Sequence, residues 1–143
     1  MPTLNTATRI ATAPLPRILP PKGHAVIDYL TTGIFLASAA WFWNKNRRAA
    51  LAALLCGGAE LAVNLMTDYR GEARKSISLG VHRHVDFGLA ALTALMPELL
   101  WFKDASEKRF FVMQGALMTA ANQVTRFPTS PRRDEWARRR RAA

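Results

Sequence analysis

Residues 24–69 recur at low identity at 82–127, with a constant offset of 58 positions. His24 returns as His82, Asp28 as Asp86, Trp43 as Trp101, Gly57 as Gly115, Asn64 as Asn122 and Thr67 as Thr125. Tyr29 and Tyr69 return as Phe87 and Phe127. A duplication constrains architecture before any element is assigned, because each copy must build the same substructure. Each copy holds two apolar stretches separated by a short polar break. The chain therefore reads as all-α, a four-helix bundle made of two repeated hairpins, within the 143 residues of one domain.

The apolar stretches run over 24–43, 49–66, 81–102 and 110–124. A bilayer core takes about 20 residues of helix, with a usual range of about 17–25. The first three stretches meet that length. The fourth is shorter, and Arg109 and Arg126 at its ends have the reach to snorkel. All four are apolar nearly all round, which fits a membrane span better than a surface helix. The expected organisation is a basic, Pro-rich arm at 1–21, a transmembrane domain at 22–128 and a basic tail at 129–143. The breaks at 44–48 and 103–108 are short, so the helices they join are antiparallel neighbours. With two spans per repeat, both copies insert the same way up, and the pseudo-twofold lies along the membrane normal. Gly58/Ala62, Ala90/Ala94 and Ala116/Ala120 place small residues four apart, the spacing that lets membrane helices approach. Pro97 interrupts the third stretch late, where a kink is expected.

Mean hydropathy is only −0.02, because polar tails offset the apolar middle. Net charge is +10 and the pI near 11.1, which points to nucleic acid or an anionic membrane surface. The charge sits in ends and loops rather than on a helix face among aromatics, so nucleic acid is not expected as a partner. Fourteen Lys and Arg flank the termini side, and six lie in the two short loops. The positive-inside rule then puts both termini in the cytoplasm, with Trp41, Trp43 and Trp101 at the opposite interface. The run at 138–141 reads as a contact with anionic lipid. Ala37-Ser38-Ala39 looks like a cleavage site after an apolar run, but cleavage there would destroy the first repeat, so an uncleaved anchor is preferred. The single Cys56 excludes an internal disulfide and reads as a buried packing residue.

His24 and Asp28 lie four apart, as do His82 and Asp86, so each pair shares one helix face. Both pairs begin a helix. Asn64 with Thr67, and Asn122 with Thr125, end the other two helices at the same end of the bundle. The duplication thus gathers eight polar side chains in one cytoplasmic layer. The expected role is helix-locking hydrogen bonding, with the two pairs on neighbouring helices. A site of two His and two Asp for a metal is chemically allowed; hydrogen bonds rather than metal are the expectation. Haem ligation by His24 and His82 has no attachment motif behind it. Glu60 lies inside the second stretch opposite Met118 in the other copy, and an ionisable group there is a proton- or ion-pathway candidate. Asp68 and Arg126 hold equivalent positions and are a candidate cross-axis pair, while His84, replaced by Val26 in the other copy, reads as interfacial. No nucleotide-binding glycine loop, nucleophile elbow, zincin motif or Cys/His zinc cluster occurs, so no catalytic residue and no cofactor are expected.

His24-Ala-Val-Ile-Asp28-Tyr29, Thr67-Asp68-Tyr69 and His82-Arg-His-Val-Asp86 resemble small bacterial four-span membrane proteins of the SPW-repeat type. The resemblance covers about residues 22–128. Where that group carries Ser-Pro-Trp, this chain has Ser38-Ala39-Ala40-Trp41 and Pro97-Glu98-Leu99-Leu100-Trp101. The resemblance implies a bacterial inner-membrane protein and lends no catalytic residues. The functional expectation is a non-enzymatic scaffold or accessory subunit, as a homo-oligomer or within a larger membrane complex. One alternative is a proton- or ion-coupled transporter using Glu60. The other is a soluble, basic, helical nucleic-acid-binding protein.

Overall fold

The computed structural model describes residues 16–69, 76–102 and 104–127. They form four helices: α1 (Pro21–Phe42), α2 (Arg47–Met66), α3 (Leu79–Leu99) and α4 (Ala105–Val124). The first begins with Pro21 at its first position, where a missing N–H costs nothing. Asn46 caps α2, its side-chain oxygen accepting from Ala49 N at 3.1 Å. Ser78 caps α3 in the same way, through Val81 N at 3.4 Å. Asp104, the repeat equivalent of Asn46, precedes α4 and accepts from Asn46 Nδ2 at 2.6 Å, which ties the two hairpin turns together. At the end of α3, Trp101 adopts a left-handed conformation (φ 54°), and Arg48 donates to its carbonyl at 3.1 Å.

Three expectations shift here. The fourth helix begins at Ala105 rather than near 110, because a polar first turn of Ser106, Glu107, Lys108 and Arg109 is still helical. Pro21 already belongs to α1, so the arm ends one residue sooner. The third helix runs over Leu79–Leu99 rather than 81–102, with Pro97 buried near its end, late in the stretch as expected. The rest of the arm, at 1–15, and the tail at 129–143 with its 138–141 run lie outside the described residues.

The helices follow one another around the bundle. α1 packs along α2 and α3 along α4; α2 meets α3 and α4 meets α1 more sparingly. α1 and α3 are therefore diagonal partners, not the neighbours expected. Each hairpin closes at its glycine. A Cβ on Gly57 would stand 2.9 Å from Phe35 Cβ, and one on Gly115 would stand 2.6 Å from the Ala90 carbonyl oxygen. Gly58 has no such neighbour within 4 Å, so the packing glycine of α2 is the residue before the one expected.

The pseudo-symmetry extends beyond the helices. Strand β1 (Thr67–Asp68), leaving α2, pairs in parallel with β2 (Ile77–Ser78), entering α3. Their equivalents pair as well: Leu19, entering α1, bridges Thr125, leaving α4. The two repeats therefore close on each other in a ring, each entry strand clipped to the exit of the preceding helix. The far half of the core is aromatic and tight. Phe35, Phe42, Phe102, Phe110 and Phe111 stack there with ring centroids 5.1–6.4 Å apart. Ala49, Ala50, Ala52 and Ala53 are buried on α2.

Candidate functional site

The termini end of the bundle holds the polar layer. His24, Asp28, Asn64, Thr67, His82, Asp86, Asn122 and Thr125 are all buried there. Helix geometry puts each His and its Asp on one face; the ring closure of the repeats then turns those two faces toward each other across the diagonal. His24 Nε2 lies 2.9 Å from Asp86 Oδ2 and 3.5 Å from Asp28 Oδ2. His82 Nε2 lies 3.2 Å from each of the two. The shortest contact is thus made between repeats, not within the i, i+4 pair. The two imidazoles stand edge to face, 5.4 Å apart. With both carboxylates wedged between them, no porphyrin fits, and haem ligation by His24 and His82 is ruled out sterically.

The outer imidazole nitrogens are held by the threonines. Thr67 Oγ1 donates to Val63 O at 2.6 Å and lies 2.9 Å from His82 Nδ1. Thr125 Oγ1 donates to Ala121 O at 2.6 Å and lies 2.9 Å from His24 Nδ1. A hydroxyl has one hydrogen. Each is spent on a helix carbonyl, so each threonine accepts from its histidine. The hydrogen-bond pattern thereby assigns a proton to Nδ1 of both rings and aims both Nε2 atoms at the carboxylates.

Around this symmetric centre the two copies differ. Tyr69 reaches in from the connection after α2. Its hydroxyl meets Asp28 Oδ2 at 2.8 Å and Asn64 Oδ1 at 3.0 Å, and its ring packs on His82 at 5.3 Å. Burial and the adjacent Asp28 carboxylate push its phenol well above the ordinary range, so it stays a donor. Phe127 packs on His24 at 5.5 Å in the equivalent place, without a hydroxyl. Asn122 donates to Arg83 O at 2.9 Å and to Asp86 Oδ2 at 3.4 Å. Among the described residues, Asn122 Oδ1 and Asp86 Oδ1 have no hydrogen-bond partner, and neither has Glu60 Oε2. The first two are acceptors. Tyr69 was visible in the sequence as half of a Tyr/Phe repeat pair and in the Thr67-Asp68-Tyr69 segment; neither marked its hydroxyl as part of the layer. Thr32, which accepts from Asn64 Nδ2 at 3.4 Å, carried no signal at all.

The other candidates fall elsewhere. Glu60 is buried, 2% exposed, on the face of α2 it shares with Asn64. His84 is exposed and bonds the Gly80 carbonyl. Glu98 pairs with Lys108 at the far end. Arg126 donates to the Arg17 carbonyl at 2.5 Å. Four ligating atoms, one each from His24, Asp28, His82 and Asp86, lie within 4.8 Å of one another. Such a constellation can share protons as two imidazolium–carboxylate pairs, or hold one small cation. No family model, no curated protein and no solved structure matches this chain.

Proposed function

We propose that the chain is an integral membrane protein of four spans with both termini in the cytoplasm, acting as a small non-enzymatic scaffold or accessory subunit in a bacterial inner membrane. The observation behind this is the inverted surface. Leu30, Ile34, Leu51, Leu55, Leu92, Leu95, Val112, Met113 and Leu117 are exposed, whereas two His, two Asp, two Asn and Glu60 are buried. In water that distribution would be costly on both counts. In lipid it is the expected one, since intramembrane polar groups turn to the bundle interior. Two helices, α1 and α2, are long and apolar enough to cross a membrane. The other two, of 21 and 20 residues, would rise about 30 Å each, the thickness of the hydrocarbon core. Trp41, Trp43 and Trp101 crowd the far end, exposed, with Lys45 over the Trp41 ring, as an interfacial belt requires. Similarity of the His/Asp segments to the SPW-repeat group belongs to the same reading.

The scaffold role follows from an interior filled with its own side chains and an outward groove along α3 and α4, lined by Ala91, Ala94, Ala116 and Ala120, that suits lateral association with a second copy or a partner. Fractionation of cells without detergent tests the membrane part. The chain should pellet with membranes and stay there through high-salt washing; recovery in the soluble fraction would sink it and revive a basic nucleic-acid-binding helical protein. A pull-down in mild detergent tests the scaffold part, which predicts a stable oligomer or complex.

Transport is the second reading, favoured by one observation: Glu60 Oε2 is buried without a partner among the described residues. A Glu60→Gln variant reconstituted in liposomes decides it. Proton or ion flux that the wild type shows and the variant loses would support transport; unchanged flux removes Glu60 from it.

A further inference from the structure

We propose that His24, Asp28, His82 and Asp86 form a binding site for one divalent first-row transition metal ion, of the zinc class, joining the two repeats at the termini end of the bundle. The site stands on the polar layer alone, and it holds whether the helices face lipid or water. Fractionation and metal binding therefore fail independently.

The first observation is the shape of the donor set. A tetrahedral ion with bonds of about 2.0–2.1 Å to nitrogen and oxygen has ligand–ligand edges of roughly 3.3 Å. Four of the six edges here, those between nitrogen and oxygen, are 2.9, 3.2, 3.2 and 3.5 Å, and all four donor atoms lie within 4.8 Å of one another. Hydrogen bonding alone does not demand this convergence. A carboxylate pairing with imidazolium can use both of its oxygens. At Asp86, Oδ2 faces His24, His82 and Asn122, while Oδ1 has no partner among the described residues. Crowding contacts on one oxygen of the carboxylate is how a monodentate ligand meets a central ion.

The second observation is independent of those edges. Both Nδ1 atoms are held as donors by Thr67 and Thr125, whose own hydrogens go to Val63 O and Ala121 O. A metal-bound histidine almost always donates its other ring N–H in this way, which fixes the tautomer and leaves Nε2 with a lone pair. Tyr69 and Asn122, hydrogen-bonded to the carboxylates, orient the remaining two ligands. Two neutral imidazoles and two carboxylates carry the charge that offsets a divalent cation, so a dry site stays neutral overall. Imidazole with carboxylate selects zinc and its first-row neighbours over magnesium or calcium, which prefer all-oxygen shells. The set is complete with four protein donors, which suits a bracing ion better than a catalytic one. Sequence spacing favoured hydrogen bonds over a metal; the diagonal approach of α1 and α3, which spacing does not reveal, reverses that preference.

The test uses the full-length chain in mild detergent, stripped by chelator and titrated with Co²⁺ as probe, then with Zn²⁺ in competition. One equivalent per chain should bind, with the visible absorption of four-coordinate cobalt, and Zn²⁺ should displace it. Thr125→Val, which removes the acceptor for His24 Nδ1, should weaken binding roughly 10–100-fold without abolishing it. Asp28→Asn with Asp86→Asn should eliminate it. X-ray absorption on the zinc-loaded wild type needs no variant and should read two imidazole nitrogens and two carboxylate oxygens. The absence of saturable one-to-one binding by a folded wild type, undiminished binding in the double variant, or an all-oxygen shell would each overturn the site.

Discussion

Tyr69 and Phe127 occupy the same place in the two repeats, and only the first supplies a hydroxyl. Its hydroxyl reaches Asp28 and Asn64, while on the other side Asp86 Oδ1 and Asn122 Oδ1 have no partner among the described residues. Phe127→Tyr should therefore stabilise the fold, by about 0.5–1.5 kcal/mol, because it supplies a donor where buried acceptors lack one. Tyr69→Phe should cost about 1–3 kcal/mol by removing the one hydroxyl hydrogen that Asp28 Oδ2 and Asn64 Oδ1 share. Thermal unfolding of both variants, in one detergent, checks the pair; opposite signs are the expected pattern. In metal-stripped protein, His24→Ala and His82→Ala should destabilise by similar amounts, about 1–3 kcal/mol each, since each frees a threonine and removes a partner from both carboxylates. A large inequality between them would break the equivalence of the repeats. The eight residues of the layer were legible from the duplication, because registration of His, Asp, Asn and Thr at one offset is a chain-level signal. Their pairing was not. A spacing of four states which face a residue occupies, never which other helix that face meets.

At the scale of helices, the two glycines that repeat, Gly57 and Gly115, set how closely each hairpin closes. Gly115→Ala pushes a methyl against the Ala90 carbonyl and Ala94 Cβ, so α3 and α4 must separate, at about 1–3 kcal/mol. Gly58→Ala meets no atom within 4 Å and gains helix propensity, up to about 1 kcal/mol. Denaturant unfolding of the monomer distinguishes the two. If Gly58→Ala leaves the monomer intact and dissociates an oligomer, the Gly58/Ala62 face is the contact between copies. Element existence was readable from apolar run length, as was the antiparallel order from short breaks. The start of α4 was not. Its first turn is helical but polar, and an apolar run marks where lipid or core begins rather than where hydrogen bonding does. The parallel clips Thr67–Ile77 and Leu19–Thr125 were equally silent, being pairings of one or two residues between segments of no marked composition.

For the molecule as a whole, the inverted surface and the distribution of basic residues bear on one arrangement. Reporter fusions at Ala143 and within 44–48 should place the first in the cytoplasm and the second outside. A periplasmic C-terminus would overturn the charge argument while leaving the bundle untouched. The sequence overstated one thing in a way the structure explains. All four stretches looked uniformly apolar, yet only α1 and α2 are long and apolar enough to cross a membrane; α3 and α4 bury polar groups, as those two helices do, and also expose polar side chains, His84 and Glu98 on α3 and Lys108, Arg109 and Gln123 on α4. Whether those two helices cross the bilayer is therefore decided by the outer faces. With Cys56 replaced by Ser, spin labels at Leu55 on α2 and Leu117 on α4, both 58% exposed and midway along their helices, should report the same environment in lipid vesicles. Four spans predict that both labels relax readily with oxygen and scarcely with a water-soluble nickel complex. A Leu117 label open to the nickel complex while Leu55 stays shielded would contradict it.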